Sequence, residues 1–249
     1  MSFSVCKRKL ALFVLVLATW GGASICHAED APDAPQDGPA YKLTVGEQYF
    51  SESGNGLDIN LRRTAQGGNI WIGYFDSKGL DAHQLRGGWD HSYGEDVRWS
   101  PSLQLASGGF VGGSLNVETG KTWVVGAGYG RTNLQPYFNL NFDPNDSWSL
   151  SASYRPTDGV SYSINYTRDD RENPDQQHFH AVYRGPINGS DRLTVDILYK
   201  QGLVNGDSIS KVGATVTYDW PRYFVRLAYD PNTNFTTDNV VRVSVGTRF

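Results

Sequence analysis

Two side chains invite a chemical reading first. His178 and His180 flank Phe179, so in an extended chain both imidazoles point the same way. The acidic run 169–175 precedes them closely, with Asp170, Glu172 and Asp175. Imidazoles beside carboxylates can shuttle protons in hydrolysis or hold a metal, and this pair is the weak catalytic candidate of the chain. An alternating pair far more often lines a polar interior. His83 and His91 fall on the face of Leu85 and Trp89 and carry no assigned role.

The second set is larger and cationic. Arg62, Arg86, Arg98 and Arg192 all lie opposite apolar stripes, and so do Lys200, Lys211, Arg226 and Arg242. Lys42, Arg155, Arg184, Arg222 and Arg248 extend the set to thirteen, against Asp58, Asp90 and Asp196 as the acids on those faces. A low-dielectric wall carrying one sign of charge concentrates counter-ions. Rings of Arg and Lys favour anions, and guanidinium offers a planar fork to carboxylate, phosphate or sulfate. The expected pore-lining residues are therefore the eight named first, and the expected partners are small anionic solutes. An interior plugged by its own charge network fits the same residues equally well. Arg155, Arg184, Arg222 and Arg248 sit at strand ends, where headgroups or lipopolysaccharide phosphates are alternative neighbours.

The elements that must position these groups are strands. In Ser147–Arg155, Trp148, Leu150, Ala152 and Tyr154 face one way and Ser149, Ser151 and Ser153 the other. Val160, Tyr162, Ile164 and Tyr166 repeat the pattern, as do Tyr223, Val225, Leu227 and Tyr229. Period-two alternation marks strands with one oily and one wet face. Fifteen such segments follow Tyr41, including one built on Leu134, Phe138, Leu140 and Phe142. Residues 70–75 place oil on both faces. A single-chain barrel with both termini on one side needs an even number, so one segment is spurious; fourteen strands is the first choice and twelve the second. The segments held suspect are Tyr41–Phe50 and Ile70–Phe75. Loops at 143–146, 169–177, 201–207 and 230–238 should lie at one end, and turns at 156–159, 185–190 and 219–221 at the other. No loop is long enough to suggest a folded plug.

Composition restricts the setting. Lys7, Arg8 and Lys9 precede an apolar core, Leu10–Trp20, too short to span a bilayer. With small residues up to Ala28, residues 1–28 read as a secretory signal peptide, 29–40 as a disordered lead and 41–249 as one barrel domain. Cleavage after Ala28 leaves 221 of the 249 residues, with 19 basic and 26 acidic side chains, a net charge of −7. That balance excludes a nucleic-acid partner. Both cysteines, Cys6 and Cys26, leave with the signal, so disulfides are excluded. The Gly-rich stretches 108–113 and 126–130 lack the lysine and the helix of a phosphate loop, and no cofactor or metal is expected.

The C-terminal segment supplies a resemblance. Val241, Val243, Val245, Thr247 and Phe249 alternate with Arg242, Ser244, Gly246 and Arg248, and Phe249 is the last residue. This resembles the terminal strand of bacterial outer-membrane β-barrels. The resemblance implies an all-β, antiparallel transmembrane barrel in the outer membrane. Its implied partners are membrane lipid, lipopolysaccharide and the barrel assembly machinery, the last engaged through Val241, Val243, Val245 and Phe249. In overall plan the chain is also similar to small monomeric porins that pass acidic oligosaccharides. Two other readings stand beside a channel: an enzyme acting on lipid or peptide at the rim, and a structural or adhesive barrel with a blocked lumen.

Overall fold

The computed structural model describes residues 40–138, 146–171, 173 and 175–249. The expected signal peptide, most of the lead, and Leu140, Phe142, Asp143 and Glu172 lie outside the described residues. The chain forms fourteen antiparallel strands closed into one barrel, with β1 hydrogen-bonded to β14. In order they are β1 (Tyr41–Phe50), β2 (Gly54–Ala65), β3 (Gly68–Ser77), β4 (Ala82–His91), β5 (Val97–Ala106), β6 (Phe110–Gly120) and β7 (Trp123–Thr132). The ring continues with β8 (Ser147–Thr157), β9 (Val160–Asp169), β10 (Gln177–Asn188), β11 (Asp191–Val204), β12 (Asp207–Asp219), β13 (Tyr223–Asp230) and β14 (Val240–Arg248). Closure removes both edge strands, the backbone condition for spanning lipid without helices.

The outer face carries the oil. Ile70, Ile72, Leu85, Leu105, Val125, Leu150, Ile164, Val212, Leu227 and Val245 are all exposed on it. Aromatic rings gather at the two ends of this belt. Tyr41–Phe249, Trp123–Tyr154 and Tyr162–Tyr183 pack at the end where β1 begins and β14 ends. Trp148–Tyr166–Phe179–Tyr199 form a chain at the other end. Two aromatic girdles around an apolar band are the form a barrel takes where hydrocarbon meets headgroups. Residues 70–75 resolve into Ile70, Ile72 and Tyr74 outside, with Trp71 and Phe75 inside.

The spurious segment is neither of the two held suspect. Tyr41–Phe50 and Gly68–Ser77 are both full strands. Residues 133–138 form no strand. Leu134 has φ 62°, and Pro136 follows with no N–H for a ladder. Of the stripe's described residues, Leu134 is exposed and Phe138 packs inward on Phe75. The expectation of no folded-in loop is corrected with it. Other strands run past their oily stripes: β11 and β12 continue to an Asn205-Gly206 hairpin turn with positive φ at both residues. Their meeting point is thus two residues, where sequence had placed a loop at 201–207.

Candidate functional site

The inner face of the barrel is built by the residues that alternate with the oily ones. Its two ends differ. At the end carrying Tyr41 and Phe249, the terminal mouth, the register sets basic residues side by side. Arg62 faces Lys42 across β2 and β1, and Lys42 faces Arg248 across β1 and β14. Arg222 joins beyond, its carbonyl accepting from Arg248 N–H at 2.7 Å. Just inside this row Phe224 turns inward from β13 and is buried. Its ring lies over Gly246, where a Cβ would have no room. Three cations surround the ring: Lys42 Nζ at 4.9 Å, the Arg248 guanidinium at 5.2 Å and that of Arg226 at 5.9 Å from its centroid. Arg226 also donates to Thr217 Oγ1 at 3.2 Å, and Arg248 reaches Asp219 Oδ1 at 2.5 Å. The Arg248 side chain keeps 26 % of its surface exposed.

Seven strands round the ring the inner face has a different character. Gly126 and Gly128 of β7 face Ser151 and Ser149 of β8, and Val124 faces Ser153. Asn116 of β6 and Ser163 and Asn165 of β9 continue this low, hydroxyl- and amide-bearing wall. Glu118, paired with Arg98, stands beside Gly126 on this wall, so small neutral side chains there adjoin a compensated ion pair.

At the opposite end, the loop mouth, two loops fold inward among the described residues. In the first, residues 133–138, Tyr137 stacks on Phe110 with centroids 4.1 Å apart and Phe138 stacks on Phe75 at 5.0 Å. Gln84 pins the loop on both sides: its Nε2 donates to Pro136 O at 2.7 Å, and its Oε1 accepts from Phe138 N at 2.7 Å. Arg86 donates to Phe138 O and, at 2.5 Å, to Asp58 Oδ2. Burial of Tyr137 raises its hydroxyl pKa well above the usual 10.

The second loop is 231–239. A tight turn at Thr233–Phe235 places Phe235 against His178 at 5.5 Å and over Gly202, which again has no room for a Cβ. Lys200 Nζ donates to Asp230 Oδ1 at 2.5 Å and to Asn232 O at 3.0 Å beneath it. Asp238 then ties this loop to the β1–β2 turn by accepting from Glu52 N at 2.7 Å and Ser53 Oγ at 2.5 Å.

The eight sequence-predicted lining residues separate between these two ends. All lie on the inward-facing register of their strands. Arg86 and Lys200 are buried in ion pairs under the loops. Arg226 and Arg242 are buried in the wall, while Arg62, Arg98 and Arg192 are half-buried and Lys211 is exposed. The count of three inward acids is corrected: Glu118, Asp169, Asp219 and Asp230 are also on inner faces. Glu118 was missed because Gly-rich β6 shows only a faint oily stripe; the aspartates were assigned to turns that the strands in fact absorb. Arg98 pairs with Glu118 at 2.5 Å.

His178 and His180 both face the bore, as the alternation required, with rings 6.2 Å apart. His180 Nδ1 lies 2.9 Å from Asp196 Oδ1. The pair sits within the wall, with His178 beneath Phe235. His83 and His91 face outward; His83 meets Asp76 at 2.5 Å and His91 packs between Trp89 and Tyr93. Among the described residues no cluster of three or more His, Cys, Asp or Glu is gathered to hold a metal.

No family model and no curated protein matches the chain. Solved structures do. The chain is similar to the outer membrane protein Omp33 of Acinetobacter baumannii, with 10 % identity and a TM-score of 0.56 over 86 % of this chain and 100 % of that one. It is also matched with the KdgM porin in complex with disordered oligogalacturonate, at 11 % identity, TM-score 0.47, and 84 % and 99 % coverage. The NanC porin matches at 10 % identity, TM-score 0.47, and 83 % and 100 % coverage. The fold is that of bacterial outer-membrane β-barrels.

Proposed function

We propose that this chain is an outer-membrane channel for small anionic solutes, exported by residues 1–28 and inserted with its terminal mouth toward the periplasm. The observation that carries this reading is the row Arg62, Lys42 and Arg248, inward-facing and half-buried at the terminal mouth of a closed barrel. Side chains there meet solvent while the oily residues occupy the outside, so the bore is wet where its charge is positive. Such a mouth raises local anion concentration and repels cations. The two inward loops narrow the loop mouth, so passage is restricted by size there and by charge at the inner end.

The enzymatic reading rests on His180 and Asp196. A lipid or peptide substrate would arrive at the rim, whereas this pair lies inside the bore, which favours a structural role for it.

The test is reversal potential under a KCl gradient across a planar bilayer holding the refolded chain from Glu29 to Phe249. The expected result is steady conductance with chloride favoured over potassium. Selectivity should move toward potassium in the Arg62→Glu, Arg248→Glu variant. Repeated insertion without conductance, or cation preference in the unsubstituted chain, would overturn the proposal.

A further inference from the structure

The histidine–carboxylate pair inside the bore is out of reach of lipid, but the outer face carries a second one. Asp76, near the end of β3, and His83, near the start of β4, stand directly opposite one another in the ladder. Both side chains lie on the outward register, with Tyr74 and Leu85. His83 Nδ1 is 2.5 Å from Asp76 Oδ1, and the Tyr74 hydroxyl donates to the same oxygen at 3.3 Å. A carboxylate on Nδ1 keeps the proton on that nitrogen and leaves Nε2 as the basic one. The His83 side chain is 57 % exposed, so the ring is accessible from outside.

A hydroxyl stands on the same face. Ser107, just past β5, lies opposite Leu85: its N–H donates to Leu85 O at 2.8 Å, and its Oγ accepts from Leu85 N at 3.0 Å. Accepting that bond leaves the hydroxyl proton to be given away. His83 is the outward residue next to Leu85 on β4, so Ser107 and His83 are diagonal neighbours, with stems about 7–8 Å apart. Gly108 and Gly109 follow at positive φ, and a Cβ on either would meet nothing within 4 Å. The approach to Ser107 is unobstructed. Depth selects the substrate. Asp76 and His83 lie one outward step beyond Tyr74 and Leu85, toward the loop mouth. Exposed tyrosine marks the headgroup level, so the pair sits in the interface, where the ester linkages of lipids lie.

We propose that Asp76, His83 and Ser107 form a hydrolytic site for carboxylic esters of membrane lipid, on the outer face of the barrel at its loop mouth. Ser107 Oγ turns from Leu85 N to His83 Nε2, a hydrogen bond that in such sites tightens when substrate binds. Oγ gives its proton to Nε2 and attacks the acyl carbon. The ester C–O bond breaks, the proton passes to the departing alcohol oxygen, and the acyl group stays on Ser107. Water, deprotonated by the same nitrogen, then releases the fatty acid and the proton returns to Oγ. Asp76 touches no substrate; it is a positioning residue that orients the ring and stabilises its cationic form. The site lies on the outer wall and is independent of the channel reading.

The experiment incubates the refolded chain, residues 29–249, with mixed micelles of detergent and phosphatidylcholine and, separately, with lipopolysaccharide, and follows fatty-acid release by mass spectrometry. Release from either lipid supports the site and names the source of the ester; release from neither would overturn it. His83→Ala and Ser107→Ala should each slow release at least about a hundredfold. His91→Ala, on the same strand toward the terminal mouth, should leave it unchanged. Asp76→Asn should lower kcat more than about tenfold with KM unchanged, and Asp76→Glu should restore part of the loss. A fluorophosphonate should add to Ser107 with loss of fluoride, read by peptide mass, and should not label the His83→Ala variant. Retained heat-modifiable migration on gels confirms that each variant still forms the barrel. Full activity in Ser107→Ala, or labelling that survives His83→Ala, would overturn the assignment. Hydrolysis is read whether or not the barrel conducts, so its outcome is separate from that of the bilayer test.

Discussion

Arg86 on β4 joins Asp58 on β2, 2.5 Å away, to the backbone carbonyl of Phe138, a residue that belongs to neither strand. One guanidinium therefore ties the barrel wall to a loop that enters from the other side of β5–β7. Both members of the ion pair are buried. Removing one partner of a buried pair strands the other charge and costs about 3–5 kcal/mol. Arg86→Gln should therefore lower stability in urea titrations by about that amount and loosen residues 133–138. The double variant Arg86→Leu, Asp58→Leu should recover part of the stability, because the pair leaves together while Arg242, whose charge also acts on Asp58, loses that neighbour. Single-channel conductance should rise in both, since both release Phe138. Unchanged conductance in the pair would show that the loop does not narrow the path.

The ring of Tyr137 adds a pH dependence to the same loop. Burial against Phe110 holds its hydroxyl in the neutral form and raises its pKa above the ordinary value. For a group raised in the folded state, the stabilising contribution is complete below the unfolded pKa, near 10, and is lost as pH rises toward the folded one. The loop should therefore stay seated through neutral and mildly alkaline conditions and begin to leave above about pH 10. Conductance recorded from pH 7 to 11 should rise at the alkaline end. Tyr137→Phe, which cannot ionise, should abolish that rise while keeping the stack. A rise that persists in Tyr137→Phe would assign it to another group.

Lys200 makes a parallel prediction for the second loop. Its ammonium, fully buried, bonds Asp230 and the carbonyl of Asn232 below Phe235. Lys200→Met leaves Asp230 without its cation and should cost about 3–5 kcal/mol. Residues 231–239 should then become the first point of proteolytic cleavage, read by mass spectrometry of fragments after brief digestion of the folded barrel. Asp238 still tethers this loop to Glu52 and Ser53, so Lys200→Met with Asp238→Ala should cleave faster than either single variant. Resistance of the double variant would place the anchoring elsewhere.

Alternation made the wall legible, because lipid demands oil at every second residue and nothing else in the chain competes with that pattern. Arg62, Arg226 and Arg242, with His178 and His180, occupy the register opposite the oily residues. Alternation failed where aromatic residues serve the interior. Phe138 counted toward a strand stripe with Leu134, yet it packs on Phe75 inside the bore, beside Tyr137 on Phe110. Pro136 was the available signal, since a ladder cannot use its nitrogen. Spacing within one strand also says nothing of the register between strands. That Arg62, Lys42 and Arg248 form one row depends on pairings between β2, β1 and β14, the last lying almost the whole chain away. The ion pairs were hidden for the same reason: Asp58 and Arg86 lie 28 residues apart and meet across Gly73 of the intervening β3, over which the Arg86 guanidinium lies.

Closure of the barrel supplies the last prediction. Tyr41 and Phe249 exchange backbone hydrogen bonds at 2.9 and 3.0 Å, and their rings stack at 5.7 Å on the lipid-facing side. Phe249→Ala preserves both backbone bonds and loses the ring pair, so the equilibrium cost should be about 0.5–1.5 kcal/mol beyond the lost burial. Deleting Phe249 removes the backbone bonds as well and should cost more. If the terminal phenylalanine also serves as a recognition signal for assembly, its replacement should reduce the amount of folded barrel in cells far beyond what that small loss of stability explains. Tyr41→Ala removes the same ring pair from the other partner and should match Phe249→Ala in urea titration. The two variants should then differ in outer-membrane yield, with Phe249→Ala much the lower. Equal yields would confine Phe249 to sealing the β1–β14 seam.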